Sequence, residues 1–208
     1  MKKLLFFLTF IAVTGATSVT YAQTVINPKI GFNVSRLNTD PQLGQINGRV
    51  GWQLGLDARI GNRVYFQPGL YYFKQSSELV TQAEAETDSI DGLQEDLDRQ
   101  GLQLYTQVGY YLVDGDGFRI RVNAGPSIAL LTSVGQSEYI GRDDYQGVNL
   151  TGNAGIGFDI FFLTIDYNYE WGLSNVFEND TFADGGVAFD ETPKLSRHTV
   201  NVGIKFEF

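Results

Sequence analysis

The chain has no cysteine, one histidine and five prolines in 208 residues. Without cysteine there is no disulfide scaffold, no thiolate zinc or iron–sulfur centre and no cysteine nucleophile. A lone histidine excludes multi-histidine metal centres and leaves one base for any serine triad. Positive charge is scarce too: 15 Lys and Arg stand against 24 Asp and Glu, a net charge of −9. No basic face is available overall, so nucleic acid is not an expected partner. No residue pattern asks for a cofactor. Beyond the first 22 residues, no apolar run approaches the roughly 20 residues of a membrane helix.

Glycine and aromatics are what the chain has in excess. It carries 24 Gly, 11 Tyr and 15 Phe, and ordinary glycine usage is only about 7%. That balance reads as β-structure in a single domain.

Residues 1–22 read as a targeting segment. Met1-Lys2-Lys3 is a basic start, Leu4 to Val13 is apolar, and small or polar residues follow to Thr20-Tyr21-Ala22-Gln23. These are the three parts of a secretory signal peptide, with cleavage expected between Ala22 and Gln23. The apolar part is about ten residues, too short to anchor in a membrane. Residues 23–208 are the expected mature domain.

That domain alternates at period two in eight segments: 28–36, 48–60, 64–76, 101–112, 118–131, 148–160, 163–173 and 197–208. The connections alternate in length. The stretches 37–47, 77–100, 132–147 and 174–196 are long. Gly61-Asn62-Arg63, Val113 to Gly117 and Phe161-Phe162 are short. A transmembrane barrel of the bacterial outer membrane has this asymmetry, with short turns on one side and long loops on the other. Between Ile160 and Leu163 the parity flips with no Gly or Asn to make the turn.

One face of each segment is apolar, for example Ile30, Phe32 and Val34, or Leu102, Leu104, Val108, Tyr110 and Leu112. Lys74, at an outer strand end, is the only charge near it. Trp52, Tyr72, Phe118, Phe158, Trp171 and Phe208 fall near segment ends, as interface girdles do. The opposite face carries Lys29, Arg59, Arg119, Arg121 and Lys205 beside Asp57, Asp159, Asp166, Glu170 and Glu207. In a narrow eight-strand barrel that face fills the lumen, and equal numbers of each sign allow pairing. The competing reading is a soluble periplasmic barrel, with the apolar face as its core.

The chain ends in an alternating strand, Val200 to Phe208. Ile204, Phe206 and Phe208 share a face, and the last residue is aromatic. Outer-membrane barrels commonly end this way, and the barrel-assembly machinery reads that strand.

Several pieces resemble the PorT-like outer-membrane β-barrel domain family. They are Lys29-Ile30-Gly31-Phe32-Asn33-Val34-Ser35, Gly51-Trp52-Gln53-Leu54-Gly55-Leu56, Phe66-Gln67-Pro68-Gly69-Leu70-Tyr71-Tyr72, Asn123-Ala124-Gly125-Pro126-Ser127 and Tyr167-Asn168-Tyr169-Glu170-Trp171-Gly172-Leu173-Ser174-Asn175. The resemblance covers about 28–208 and implies a barrel without an assigned activity. Gly69 stands where that family usually has an acid. Gln103 and Tyr105 replace a frequent Glu and Pro, and Asp166 or Asn168 falls where an inward Arg is common.

Few residues offer chemistry. His198 follows Ser196 by two positions, and Glu191 would be the acid of a lipid-modifying triad; one Ser-x-His lacks the geometry a triad needs. Residues 78–98 hold eight acids. They would suit a divalent cation, yet Asp88-Ser89-Ile90-Asp91-Gly92 lacks the spacing of an EF-hand loop. Ser89 to Leu97 has the composition of a short helix. Asp114-Gly115-Asp116-Gly117 is turn chemistry.

The expectation is therefore an all-β, eight-stranded antiparallel up-and-down transmembrane barrel in the outer membrane, not an enzyme. Its expected partners are outer-membrane lipid, the assembly machinery during biogenesis, and an unknown surface partner at four acidic loops. A narrow pore for small solutes, a lipid-modifying enzyme and the soluble barrel are the alternatives.

Overall fold

A computed structural model describes residues 23–37, 44–81, 94–134, 147–175 and 194–208. Ala22, Glu191 and the acids between 84 and 91 lie outside them; Gln23 is the first described residue. The strands are β1 (Thr24–Leu37), β2 (Gly44–Gly48), β3 (Val50–Gly61), β4 (Val64–Thr81), β5 (Gln94–Asp114), β6 (Phe118–Val134), β7 (Val148–Ile160), β8 (Leu163–Gly172), β9 (Leu195–Ile204) and β10 (Phe206–Glu207).

These strands make eight staves. Both β2 and β3 pair with β4, and both β9 and β10 pair with β1. Arg49 interrupts the stave made by β2 and β3. Gly48 faces Ser77 and Trp52 faces Lys74, so the β2–β3 side holds one extra residue, a bulge. Each stave is antiparallel to its neighbours, and β1–β9 pairing closes the barrel.

The stagger follows from the register. A path across paired residues runs Thr24, Ile60, Phe66, Val108, Ala124, Ala154, Tyr169, His198 and back to β1 at Val34. It returns ten residues beyond its start. With strands about 4.8 Å apart and about 3.3 Å per residue, that stagger tilts the strands by roughly 40°.

The alternation sorts as an outer-membrane barrel requires. Ile30, Phe32, Leu54, Leu56, Leu70, Leu104 and Val202 point outward and are exposed, while the largest fully buried side chains include Arg59, Arg121, Arg197, Gln53 and Glu170. The apolar face is thus the outside, which excludes the soluble reading in which it forms a core. Glycines make the narrow inside passable for tyrosine. A Cβ on Gly109 would lie 2.1 Å from the Tyr65 ring, and one on Gly55 would lie 2.6 Å from the Tyr71 ring.

Three short turns sit at one end. Gly61 turns with φ of 136°. Phe161 turns with φ of 51°, Phe162 follows it, and Ile160 pairs with Leu163. Positive φ at the first central residue only is the pattern of a II′ hairpin, whose usual occupant there is glycine. A bulky residue in that region is a local strain.

At the other end the structure departs from the sequence reading. The expected loop over 77–100 is partly strand: β4 and β5 stay paired out to Val80 and Gln94. Residues 94–97 of the expected helix are strand, and residues 44–47 of the first loop belong to β2. Residues 77–81 and 94–98 carry no apolar alternation, so the period-two signal does not mark them.

Candidate functional site

The inside of the barrel holds the polar chemistry, arranged in three layers along the axis. The middle layer is a closed ring. Lys29 Nζ lies 2.6 Å from Asp57 Oδ2 and 2.6 Å from Asp166 Oδ2. Asp166 also meets Arg121. Arg121 Nε reaches Asp159 Oδ1 at 3.3 Å, and Asp159 Oδ2 meets Arg59 Nη1 at 2.6 Å. Asn27 completes the circuit: it accepts from Arg59 Nη2 at 3.0 Å and donates to Asp57 Oδ1 at 2.8 Å.

This ring draws on β1, β3, β6, β7 and β8, so it crosses the lumen and returns to β3, where Asp57 and Arg59 share a face. All its members are buried. Three cations balance three carboxylates, which a water-poor interior requires. Neutral groups fill the remaining valences. Tyr71 donates to Asp57 at 2.6 Å, Tyr111 Oη accepts from Arg59 at 2.9 Å, and Thr164 accepts from Arg121 at 2.8 Å. Gly157 leaves the space that Arg121 and Asp166 occupy; a Cβ there would lie 2.3 Å from Arg121 Cζ.

The second layer, toward the long-segment end, is one ion pair in a polar cage. Glu170 on β8 and Arg197 on β9 are cross-strand partners. Arg197 Nε donates to Oε1 at 3.0 Å, and Nη2 to Oε2 at 2.6 Å. Glu170 also accepts from Gln103 and from Tyr105, each at 2.7 Å. Arg197 donates to Gln103 as well, and its guanidinium lies 5.6 Å over the Phe73 ring.

Between the two layers, Gln53 donates to Asn201 at 2.7 Å. The cavity there, lined by Lys29, Gln53, Gln67, Tyr105 and Asn168 among others, measures about 10 Å³. Space of about 10–15 Å³ holds a single water. A second cavity above Arg197, beside Arg99 and Asn149, measures about 20 Å³.

The third layer is the rim at the short-turn end. Arg119 meets Asp114 at 2.8 Å and Glu207 at 2.5 Å, and Lys205 meets Glu207 at 2.8 Å. These groups are partly exposed, so each pair contributes little.

Sequence parity places the ten expected residues inside but does not assign their partners. Arg119 bonds to Asp114 and Glu207 rather than to Asp159, Asp166 or Glu170. Glu170 bonds to Arg197, which the sequence reading left out. Arg197 shares the parity of Asn201 and Lys205, a signal that was available. Asp114 reads as turn chemistry, and the tyrosines that complete the layers carry no mark of that role.

His198 and Ser196 lie on the outer face of β9. His198 Nδ1 bonds to Tyr167 Oη at 2.8 Å, while Ser196 Oγ donates to the Arg36 carbonyl at 3.3 Å. Among the described residues no serine–histidine bond forms. Ile204, Phe206 and Phe208 close the barrel's last stave, where Phe208 exchanges backbone bonds with Thr24 at 2.9 and 3.4 Å.

Comparison with known proteins agrees with this geometry. The family model described as an outer membrane protein beta-barrel domain matches residues 21–178. The outer membrane protein OprG of Pseudomonas aeruginosa is 12% identical, with a TM-score of 0.50 over 89% of this chain and 96% of that one. The attachment invasion locus protein Ail of Yersinia pestis is 16% identical, with a TM-score of 0.42 over 89% of this chain and 99% of that one. No curated protein sequence matches the chain.

Proposed function

Because the chain belongs to the outer membrane protein beta-barrel domain family and lies in the cell outer membrane, we propose that it is a plugged barrel with a structural or surface-interaction role. It is neither a solute pore nor an enzyme in this reading. Residues 1–22 direct export, with cleavage between Ala22 and Gln23. The final strand with Ile204, Phe206 and Phe208 serves the barrel-assembly machinery. The motifs around Trp52, Pro68 and Trp171 support a PorT-like place within the family.

The carrying observation is the lumen. Two charge-neutral layers of buried ion pairs cross it, with space between them for about one water. An ion passing through would have to break pairs whose separation leaves charges buried alone, a cost of about 3–5 kcal/mol each. Signal-peptide export places the short turns in the periplasm and the long segments outside. There the β4–β5 hairpin continues six residue pairs past Lys74 and Gln100, roughly 20 Å of strand. Such a projection suits contact with another surface. Planar-bilayer recording tests the reading: the purified barrel gives no ion-conducting steps. Regular steps in the wild-type protein would favour the pore.

A further inference from the structure

At the long-segment end β2, β4 and β5 run on together past the level at which β6 leaves them. The last β5–β6 pair is Arg99 with Val134, whereas β5 stays paired with β4 out to Gln94 and Val80. Along Gln94–Asp98, then, one side of β5 is bonded to β4, and the other meets no strand among the described residues. The backbone N–H and C=O groups on that side form an open edge, a template for a further strand.

The sequence along that edge is selective. Gln94-Glu95-Asp96-Leu97-Asp98 is acidic at Glu95, Asp96 and Asp98. The register sets Glu78 of β4 directly opposite Asp96, and Ser76 opposite Asp98. Alternate residues share a face, so Glu78, Asp96 and Asp98 belong to one face of the sheet. Like charges directly opposite one another repel. A cation beside Asp96 on an added strand relieves that repulsion, and an acidic strand adds to it. Leu97 belongs to the other face, with the paired Leu79 and Ile46 in the next row of that face.

This chain has no basic strand to offer from its long segments. Residues 38–47, 77–98, 135–146 and 176–193 together hold one cation, Arg142, against 17 Asp and Glu. The same segments of a second copy bring the same acids, so charge excludes them too. The acids thus guard the edge against copies of itself while leaving it open to a strand of opposite charge.

We propose that the β5 edge at Gln94–Asp98 is a docking site for an extended basic segment of another protein, which joins the sheet as a strand with Lys or Arg at alternate positions. Two of its cations stand beside Asp96 and Asp98, and the apolar residue between them stands beside Leu97. Backbone bonds along β5 supply affinity, and the alternation of charge selects the sequence. The inference deepens the surface-interaction reading above and rests on it.

Fluorescence anisotropy with the full mature chain in a non-ionic detergent tests it. The probes are a labelled peptide alternating Lys with Val, the same peptide with Glu in place of Lys, and the Lys peptide with its central Val replaced by Pro. Proline keeps the charge but removes a backbone donor and disrupts the added strand. The Lys peptide is expected to bind at least about tenfold more tightly than either control, the scale of a few favourable cross-strand pairs. Asp96→Lys should remove most of its advantage over the Glu peptide, and Asp96→Asn part of it. Hydrogen exchange should slow at Gln94–Asp98 on binding and stay unchanged at Gly44–Gly48. Equal binding of the Pro peptide overturns strand addition, and equal binding of the Glu peptide overturns selection by charge. Protection at Gly44–Gly48 instead overturns the choice of edge, and no saturable binding up to about 1 mM overturns the site. The wild-type comparison needs no variant, so a folding defect in Asp96→Lys leaves the test intact. A heat-dependent gel shift and the bilayer recording report the plugged barrel separately, so failure of the docking edge is distinguishable from failure of that reading.

Discussion

Glu170 and Arg197 face each other across the β8–β9 pair and join through three bonds, 3.0 Å from Nε to Oε1 and 2.6 Å from Nη2 to each of Oε1 and Oε2, with both side chains buried. Burial keeps bulk solvent from replacing either partner. Glu170→Ala leaves a guanidinium among Gln103, Tyr105 and Phe73 with no carboxylate beside it. The expected loss of stability is about 3–5 kcal/mol. Arg197→Ala should cost a similar amount, and the double variant less than the sum, with a coupling of about 1–3 kcal/mol. Urea unfolding of the barrel in lipid vesicles measures all three; additive losses would show that the pair acts as two separate residues.

Gly109 sits under the Tyr65 ring, which itself packs on Tyr111 with centroids 4.9 Å apart. A methyl group at 109 has to push that buried ring aside. Gly109→Ala is expected to destabilise the barrel by about 1–3 kcal/mol. The temperature at which the SDS-resistant form disappears is the readout, and an unchanged temperature would mean that the ring moves freely.

Phe161 holds a positive φ that costs most side chains about 1–2 kcal/mol. Its ring is largely exposed, though it lies over Gly117, where a Cβ would come within 3.2 Å of it. Glycine relieves the strain at an entropic cost of roughly 0.5–1 kcal/mol in the unfolded chain. Phe161→Gly should therefore raise stability by about 0.5–1 kcal/mol in the same urea assay. A loss instead would show that the ring contact at Gly117 outweighs the backbone strain.

Much of this architecture is legible in the chain because a wall between lipid and a packed lumen imposes period two on every strand. Leu102, Leu104 and Val108 alternate with Gln103, Tyr105 and Gln107, and one look assigns both faces. What alternation lacks is height. The ten-residue stagger sets which inward charges share a level, and it arises from pairings around the whole barrel. That is why Arg121 meets Asp159 and Asp166 while Arg119, two residues away on the same face, meets Asp114 and Glu207. The β4–β5 extension is invisible for a different reason: residues 77–81 and 94–98 carry no apolar alternation, the signal that marks the other strands. The Phe161-Phe162 turn is legible in its place but not in its type, since local chemistry there opposes the conformation that closure of β7 on β8 enforces.

The central claim is that apolar side chains face lipid while the charged interior is sealed from water. With no native cysteine, single thiols report this directly. Ala124 points outward; Ser127 points inward, bonded to Gln103 at 3.1 Å and Thr151 at 2.6 Å. Ala124→Cys and Ser127→Cys barrels in vesicles would be challenged with a water-soluble maleimide and with one that partitions into lipid. The account predicts that Ala124→Cys reacts only with the lipid-partitioning reagent, and that Ser127→Cys reacts with neither until heat in SDS opens the barrel. Rapid reaction of Ser127→Cys with the water-soluble reagent would mean an open lumen and would contradict the account.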